Sequence, residues 1–416
     1  MPHETSAQNP VYERLPFLEG LRGLAALYVV LGHICSMADP SKLAWKASSA
    51  PVWLQGLFAP FQYGNLAVAT FIVLSGFCLQ LALFTRGDGR IRGLGRWFTR
   101  RWARILPPYY GALALSLIVA TTITMKQPGM PFQHYLPITD EGLLAHLFLV
   151  HNLSTEWMYK INGVMWSIGL EAQLYLLFPL LLAMLFKAGR TLTLALSIAT
   201  AALAVIYLPN ASKLYAWYLP LFVLGMVSAN LAYRPNLTAG IQPALAAMLA
   251  LLGFFVAGFA CHHGWAIYTC DSLVGLGVAA LCYLLMVSSV NPLNRFLAWR
   301  PLVWLGGFSY SLYLMHHPIE QIVYAHRPAG TEGPEALFWY LLWAGLPLMI
   351  LGSWVFSLVF ERPFVARRAR HAEQERLPLA PTSLPLKPFG SDHAIRRAKL
   401  KAASRERSSE PVPQLV

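Results

Sequence analysis

Charged residues are scarce in this sequence. They make up 12% of its 416 residues, about half of the share that soluble domains carry. Hydrophobic residues make up 56% of the chain, and the mean hydropathy is +0.49. The apolar residues form runs about 20 residues long rather than alternating segments of about ten, which favours transmembrane helices over a β-barrel. The composition therefore predicts an all-α integral membrane protein, a polytopic bundle of transmembrane helices.

Cysteine is also rare, and the usual metal motifs are absent. The five cysteines include no CxxC pair, which excludes the common zinc and dithiol redox motifs. Cys261 and Cys270 flank a predicted outer loop, where either a disulfide or two free thiols would fit. His262 and His263 lie between them without a nearby carboxylate. The sequence therefore predicts no metal site.

Ten apolar runs predict ten transmembrane helices with both termini in the cytoplasm. The segment 143–153 is shorter and is interrupted by histidines, which favours an interfacial or re-entrant helix. Arginines concentrate in the loops that this orientation places inside, with seven of them in residues 86–104, as the positive-inside rule requires. The predicted spans are 18–37, 64–84, 105–125, 164–186, 191–208, 215–233, 241–260, 268–290, 302–325 and 336–360.

Two segments flank the predicted membrane unit of residues 16–364. Residues 1–15 are predicted to be cytoplasmic, and no small-residue cleavage site follows them, so the first span is expected to remain in the mature protein. Residues 365–416 contain 11 basic and 5 acidic residues with several prolines, which predicts a disordered basic cytoplasmic tail. The net charge of +13 thus indicates contact with a lipid bilayer rather than with nucleic acid.

Several ionisable residues fall within the predicted spans. Arg22 and His33 are eleven residues apart, which places them about 20° apart around one helix and about 16 Å apart along it. Glu171 and His316 lie within the fourth and ninth predicted spans. Ionisable groups inside a membrane are costly and usually functional, so these residues predict a shared polar cavity. The alternative is that each is a buried, hydrogen-bonded packing group.

A pair of arginines precedes the third predicted span. Arg101 and Arg104 are three residues apart and share a helix face, with Arg100 beside them. Planar guanidinium groups in this arrangement suit a polyphosphate ligand. Arginines in such a loop also orient a membrane span, so the sequence leaves both interpretations open.

A series of motifs over residues 16–364 resembles the membrane acyltransferase-3 family. They are Arg22 with His33, "FIVLSGF" with Ser75, Arg101 and Arg104 before Pro107 and Tyr109, "WSIGLEAQLYLLFP" with Trp166, Glu171 and Tyr175, "GGFSYSLYLMHHP" with Tyr310, Tyr313 and His316, and "FERPF" with Glu361. Two features depart from the family pattern. Glu19 stands where an aspartate is expected, and no hydrolase-like domain follows the last span, so we expect the membrane unit itself to reach the acceptor.

The resemblance implies a reaction and its substrates. The family transfers an acyl group, acetyl by default, from cytoplasmic acyl-CoA to a hydroxyl of a glycan, a lipid-linked saccharide or a similar acceptor, often at the outer face. The expected location is the bacterial inner membrane. Acyl-CoA is expected as a co-substrate, without a bound cofactor. A transporter or flippase of a polar lipid or sugar is the alternative, and thioester consumption would distinguish the two.

The resemblance also suggests residue roles. We expect His33 to be the general base, either directly or through an acyl-histidine intermediate. Glu171 is expected to orient His33 or to hold the acceptor, and Arg22 to hold the donor. Arg101 and Arg104 are expected to bind the CoA phosphates, and Arg100 is a further candidate for the same role. The further candidates for lining the cavity are Ser75, Trp166, Tyr175, Tyr310, Tyr313 and His316.

Overall fold

A computed structural model describes residues 15–39, 48–85, 87–126, 133–208, 214–233, 243–288 and 291–364. The predicted tail 365–416 and all but Leu15 of the predicted segment 1–15 lie outside these residues. Within the described ranges the secondary structure is helical. The α-helices are α1 Pro16–Ala38, α2 Val52–Phe58, α3 Gly64–Phe84, α4 Leu94–Thr122, α5 Asp140–Leu147, α6 Trp166–Lys187, α7 Gly189–Tyr207, α8 Tyr218–Tyr233, α9 Pro243–His262, α10 Ile267–Val287, α11 Pro292–Leu297, α12 Arg300–Gly306, α13 Ser309–Ala325, α14 Pro334–Tyr340 and α15 Leu346–Phe360.

Eight helical segments in the described part of the chain are long and apolar enough to cross a membrane. The apolar helix α8 is shorter, with 16 residues, and α13 has 17 residues that include two histidines and a glutamate. Helices occupy each of the ten predicted spans; the span 302–325 is divided between α12 and α13, and α14 and α15 are joined by a π-helical turn. The chain is a polytopic helical membrane protein, while the count of ten spans and the cytoplasmic termini stay predictions.

The short helix α5 lies where the sequence predicts an interfacial or re-entrant helix. It has 8 residues, or about 12 Å of rise, which is too short to span a bilayer. Two tyrosines in the middle of α4 form hydrogen bonds to the C-terminal end of α5. The Tyr109 hydroxyl donates to the His146 carbonyl at 2.8 Å, and the Tyr110 hydroxyl donates to the Leu147 carbonyl at 2.7 Å.

Glycines allow α3 and α8 to pack closely. A Cβ atom on Gly76 would lie 2.0 Å from the Phe222 carbonyl oxygen, and one on Gly225 would lie 2.1 Å from the Val73 carbonyl oxygen. Such contacts exclude any larger residue at both positions. Small residues that bring backbones together are the usual means of helix association in membranes, where burial of apolar surface gives little driving force.

A proline inside α13 is compensated by an asparagine from another segment. Pro318 has no N–H, so the Leu314 carbonyl lacks its helical partner. The Asn162 side chain donates to that carbonyl at 2.9 Å and to the Ser116 hydroxyl at 3.0 Å. Asn162 thereby ties α13 and α4 to the segment that leads into α6. This arrangement fixes the part of α13 that carries the histidines.

The cysteines are free thiols. Cys261 and Cys270 are buried in one small cluster, so of the two arrangements that the sequence left open the structure has the unbonded one.

Candidate active site

A cavity of about 370 Å³, lined by both polar and apolar residues, lies where several helices end or begin. Its walls come from the second halves of α1 and α13, the first residues of α3 and α6, and the segments before α6 and α8. The polar and aromatic side chains that line it are His33, Ser36, Phe61, Gln62, Asn65, His134, Tyr135, Tyr159, Trp166, Tyr215, Tyr313, His317 and Glu320.

Hydrogen bonds define the protonation of His33. Its Nδ1 lies 3.0 Å from the Val29 carbonyl oxygen and 3.1 Å from Nε2 of His316. Nδ1 of His316 in turn lies 3.0 Å from the Leu312 carbonyl oxygen. A carbonyl only accepts, so both Nδ1 atoms carry the proton and Nε2 of His316 accepts from His33. This leaves Nε2 of His33 as the unprotonated, basic nitrogen of a residue that lines the cavity.

A third histidine lies beside this pair. The ring of His317 meets the ring of His33 edge-on, with 4.1 Å between centroids. Its Nδ1 is 2.8 Å from the Tyr135 hydroxyl, and its Nε2 is buried without a hydrogen-bond partner. The sequence analysis missed His317 and Tyr135. His317 could have been found from its position next to His316, whereas nothing in the sequence indicates that the loop carrying Tyr135 folds against α13.

The three histidines are close enough to raise the question of a metal ion. The ligand atoms of His33, His316 and His317 all lie within 4.8 Å of one another, although the sequence predicted no metal site. In the present arrangement, however, Nε2 of His316 faces Nδ1 of His33, which is already held by Val29. One ion could bind all three only if a ring turned. The observed geometry is that of a hydrogen-bonded chain.

Glu171 lies in a second polar cluster. The Ser75 hydroxyl donates to its carboxylate, and the Tyr175 hydroxyl donates to the same oxygen at 2.5 Å. Among the described residues its hydrogen bonds go to these two side chains and none joins it to His33. Of the two roles predicted for Glu171, orientation of His33 therefore has no contact to support it.

Arg22 faces the same second cluster from α1. Its guanidinium is 3.5 Å from the Glu19 carboxylate, and its side chain is only 18% exposed. Glu171 and Tyr175 are also within electrostatic range of it. Arg22 is thus a largely buried cation near the start of α1, about three turns from His33.

The arginines at the start of α4 approach the same end of the bundle. The Arg101 guanidinium lies 5.8 Å from the centre of the Trp97 ring and within electrostatic range of Tyr175. Arg104 interacts electrostatically with Glu361, which accepts from the Ser311 hydroxyl at 2.5 Å. Arg100 is half-buried on the same helix.

The other sequence candidates separate into four groups. Trp166 and Tyr313 line the cavity, and the Tyr313 hydroxyl is 2.8 Å from the Ser167 hydroxyl. His316 lies behind His33 as its hydrogen-bond partner. Ser75 and Tyr175 belong to the Glu171 cluster, while the Tyr310 hydroxyl donates to the Ile105 carbonyl of α4 at 3.1 Å.

A comparison with known protein families identifies the family of this chain. The family model for the acyltransferase domain of the acyltransferase-3 group matches residues 15–358, which is most of the chain. The chain belongs to the acyltransferase-3 family. The chain is thus a multi-pass integral membrane protein of that family, as the resemblance implied.

Curated relatives are bacterial acyltransferases. The O-acetyltransferase OatA of Staphylococcus aureus is 26% identical over 356 residues, covering 76% of this chain and 52% of that protein. The acyltransferase MdmB of Streptomyces mycarofaciens is 28% identical over 387 residues, covering 85% of this chain and 92% of that protein. The peptidoglycan O-acetyltransferase OatA of Listeria monocytogenes is 21% identical, covering 73% and 49%. The chain thus spans about half the length of the OatA relatives. No solved structure matches the chain.

Proposed function

We propose that this acyltransferase moves an acyl group, by default acetyl, from cytoplasmic acyl-CoA to a hydroxyl of a glycan or similar acceptor at the outer face of a bacterial inner membrane. One observation carries the proposal. Arg22, Arg101 and Arg104 gather at one end of the bundle, and His33, with its basic nitrogen, lies about 16 Å further along α1 than Arg22 and lines the cavity.

The arginine end suits the donor. Arg101 and Arg104, with Arg100 nearby, hold the phosphates of CoA, because planar guanidinium groups match phosphate oxygens in pairs. Arg22 holds the donor further in. The pantetheine arm of CoA has a length comparable to the separation of Arg22 and His33, so the thioester reaches the cavity while the nucleotide stays at the cytoplasmic end.

The histidine end suits the chemistry. Nε2 of His33 removes the proton of the acceptor hydroxyl while the oxygen attacks the thioester carbonyl and forms the new C–O bond. When the C–S bond breaks, the CoA sulfur takes the proton back from the imidazolium. The hydrogen bond from Nδ1 of His33 to His316 orients the ring and stabilises its charged form, as a carboxylate does in other histidine-based acyl transfer. An acyl-histidine intermediate is the alternative path.

Similarity to the named relatives supports the acceptor class. The names of the two OatA relatives describe O-acetylation, and one of them names peptidoglycan. We extend a hydroxyl acceptor and an acetyl donor to this chain on that basis. We also propose that residues 16–364 are the membrane unit, flanked by cytoplasmic segments 1–15 and 365–416, because arginine density orients the spans.

The test is acyl transfer by the purified protein. We expect release of free CoA that depends on an acceptor alcohol, and a decrease of about 10²–10⁴-fold per folded molecule in His33→Gln. The amide of glutamine forms hydrogen bonds but cannot take the proton. Binding of acyl-CoA should be retained. A His33→Gln protein that transfers at the normal rate would remove His33 from the mechanism, and the absence of thioester consumption with any acceptor would favour a transporter.

A further inference from the structure

The cavity contains a buried carboxylate that the reaction above does not use. Glu320 is 1% exposed, and both of its carboxylate oxygens are buried without a hydrogen-bond partner among the described residues. Glu320 lines the same cavity as His33. A buried carboxylate without partners is costly, and such groups are ordinarily paired or hydrogen-bonded. The structure therefore contains an unfilled acceptor of hydrogen bonds inside the candidate active site.

The described walls of the cavity supply no fixed countercharge. Glu320 is the only acidic residue that lines it, and no lysine or arginine does. His317, three residues earlier on the same face of α13, makes its hydrogen bond to Tyr135 instead. The part of the chain that the structure describes thus offers the carboxylate no cation, and a ligand in the cavity can supply one.

Aromatic rings form another wall of the cavity. The Trp166 and Tyr215 rings stack with 4.1 Å between centroids and 21° between planes, and the Tyr159 hydroxyl lies 3.2 Å from the Tyr215 hydroxyl. Aromatic faces attract cations, most strongly where water is excluded. A buried carboxylate combined with aromatic walls is the chemical environment that recognises an ammonium group.

We propose that Glu320 forms a recognition subsite for a protonated amine, so that the acceptor of this enzyme is an alcohol that also carries an amine, such as an amino sugar. The inference rests on the proposed function. The ammonium donates to the carboxylate oxygens in charge-assisted hydrogen bonds, while a hydroxyl of the same molecule meets Nε2 of His33. Because a protonated nitrogen has no lone pair, the same contact directs the acyl group to the oxygen.

The experiment compares two matched acceptors on the purified full-length protein. One is a methyl hexoside with a dimethylamino group, and the other has a hydroxyl at that position. The tertiary amine forms no stable amide, so acyl transfer to oxygen is measured by CoA release and by the mass of the ester. We expect the wild-type enzyme to have a kcat/KM at least about tenfold higher for the amine, as one charge-assisted hydrogen bond would give.

The variant Glu320→Gln removes the charge and keeps the shape. We expect its KM for the amine to rise about tenfold or more with little change in kcat, and its KM for the neutral acceptor to stay unchanged. Glu335→Gln is the matched control, because Glu335 is an exposed acid of α14 outside the cavity lining. The wild-type comparison of the two acceptors needs no variant, so it decides the question even if Glu320→Gln does not fold.

The outcomes separate this inference from the proposed function. Equal use of both acceptors by the wild-type enzyme would overturn the ammonium subsite and leave acyl transfer intact. If no acceptor releases CoA, the proposed function fails. The subsite is then tested by measuring the binding of the two hexosides through the change in tryptophan fluorescence. Tighter binding of the amine that Glu320→Gln removes would support the subsite, and equal binding would overturn it.

Discussion

At the scale of single residues, the hydrogen bonds around His33 determine which of its nitrogens can act as a base. The Val29 carbonyl and His316 both lie at Nδ1, so that nitrogen donates and Nε2 is left to take a proton. The Leu312 carbonyl does the same for His316. Two backbone carbonyls, each four residues before its histidine, thus set the tautomers of both rings.

His316 is a positioning residue in this scheme, and its replacement tests that role. His316→Phe removes the acceptor for Nδ1–H of His33, and we expect kcat to decrease about tenfold to a hundredfold, the value of a hydrogen bond to a charged group. The KM for acyl-CoA should not change. His316→Gln should recover part of the activity, since its amide oxygen can accept the same bond.

A purely structural role for His316 predicts a different result. In that case Phe and Gln would lower the yield of folded protein alike, and the surviving molecules would have normal kcat. Steady-state kinetics corrected for the folded fraction, measured for both variants, distinguishes the two roles.

At the scale of elements, the proline of α13 and the asparagine before α6 act as a pair. Pro318 frees the Leu314 carbonyl, and Asn162 satisfies it. An unsatisfied buried carbonyl costs about 1–3 kcal/mol. We therefore expect Asn162→Ala to lower the stability of the purified protein by a similar amount, measured as a decrease in the midpoint of unfolding in detergent.

A double-mutant comparison isolates that contact. Pro318→Ala restores an N–H that bonds the Leu314 carbonyl within the helix, so Asn162→Ala should cost clearly less in that background. The remaining cost reflects the bond from Asn162 to Ser116. Additive effects of the two substitutions would show that Asn162 does not compensate for the proline.

At the scale of the whole molecule, the bundle separates two kinds of chemistry. Arg22, Arg101 and Arg104 lie at one end with Glu171 and Glu361 nearby, and the histidines lie in the cavity towards the other. This separation matches a reaction whose donor and acceptor approach from opposite sides of a membrane.

The donor end gives a test at this scale. We expect Arg101→Ala and Arg104→Ala each to raise the KM for acyl-CoA about tenfold to a hundredfold with a smaller effect on kcat, because each loses a charged hydrogen bond to phosphate. Lysine should recover only part of the affinity, since it lacks the planar fork. Normal donor saturation in both alanine variants would leave the arginines with an orienting role alone.

Much of the fold could be predicted from the sequence because a bilayer imposes it. A segment that crosses hydrocarbon must satisfy its own backbone hydrogen bonds, so each long apolar run becomes a helix. Helices accordingly occupy all ten predicted spans, and the short run at 143–153 contains only the end of the 8-residue helix α5 and a 3-10 turn at His151–Leu153. The same one-dimensional signal cannot give the number of membrane crossings, since α13 combines a helical pattern with polar residues that only a neighbouring helix can accommodate.

The sequence by itself determined the helices, the class of the protein and the residues that no lipid would tolerate, such as Arg22, His33, Glu171 and His316. Only the tertiary structure decided which of these residues meet. It paired His33 with His316 rather than with Glu171, and it brought Tyr135, His317 and Glu320 into the same cavity. The physical reason is that helix periodicity fixes the face on which a side chain lies, whereas the partner of that face depends on close contacts between helices, such as those at Gly76 and Gly225.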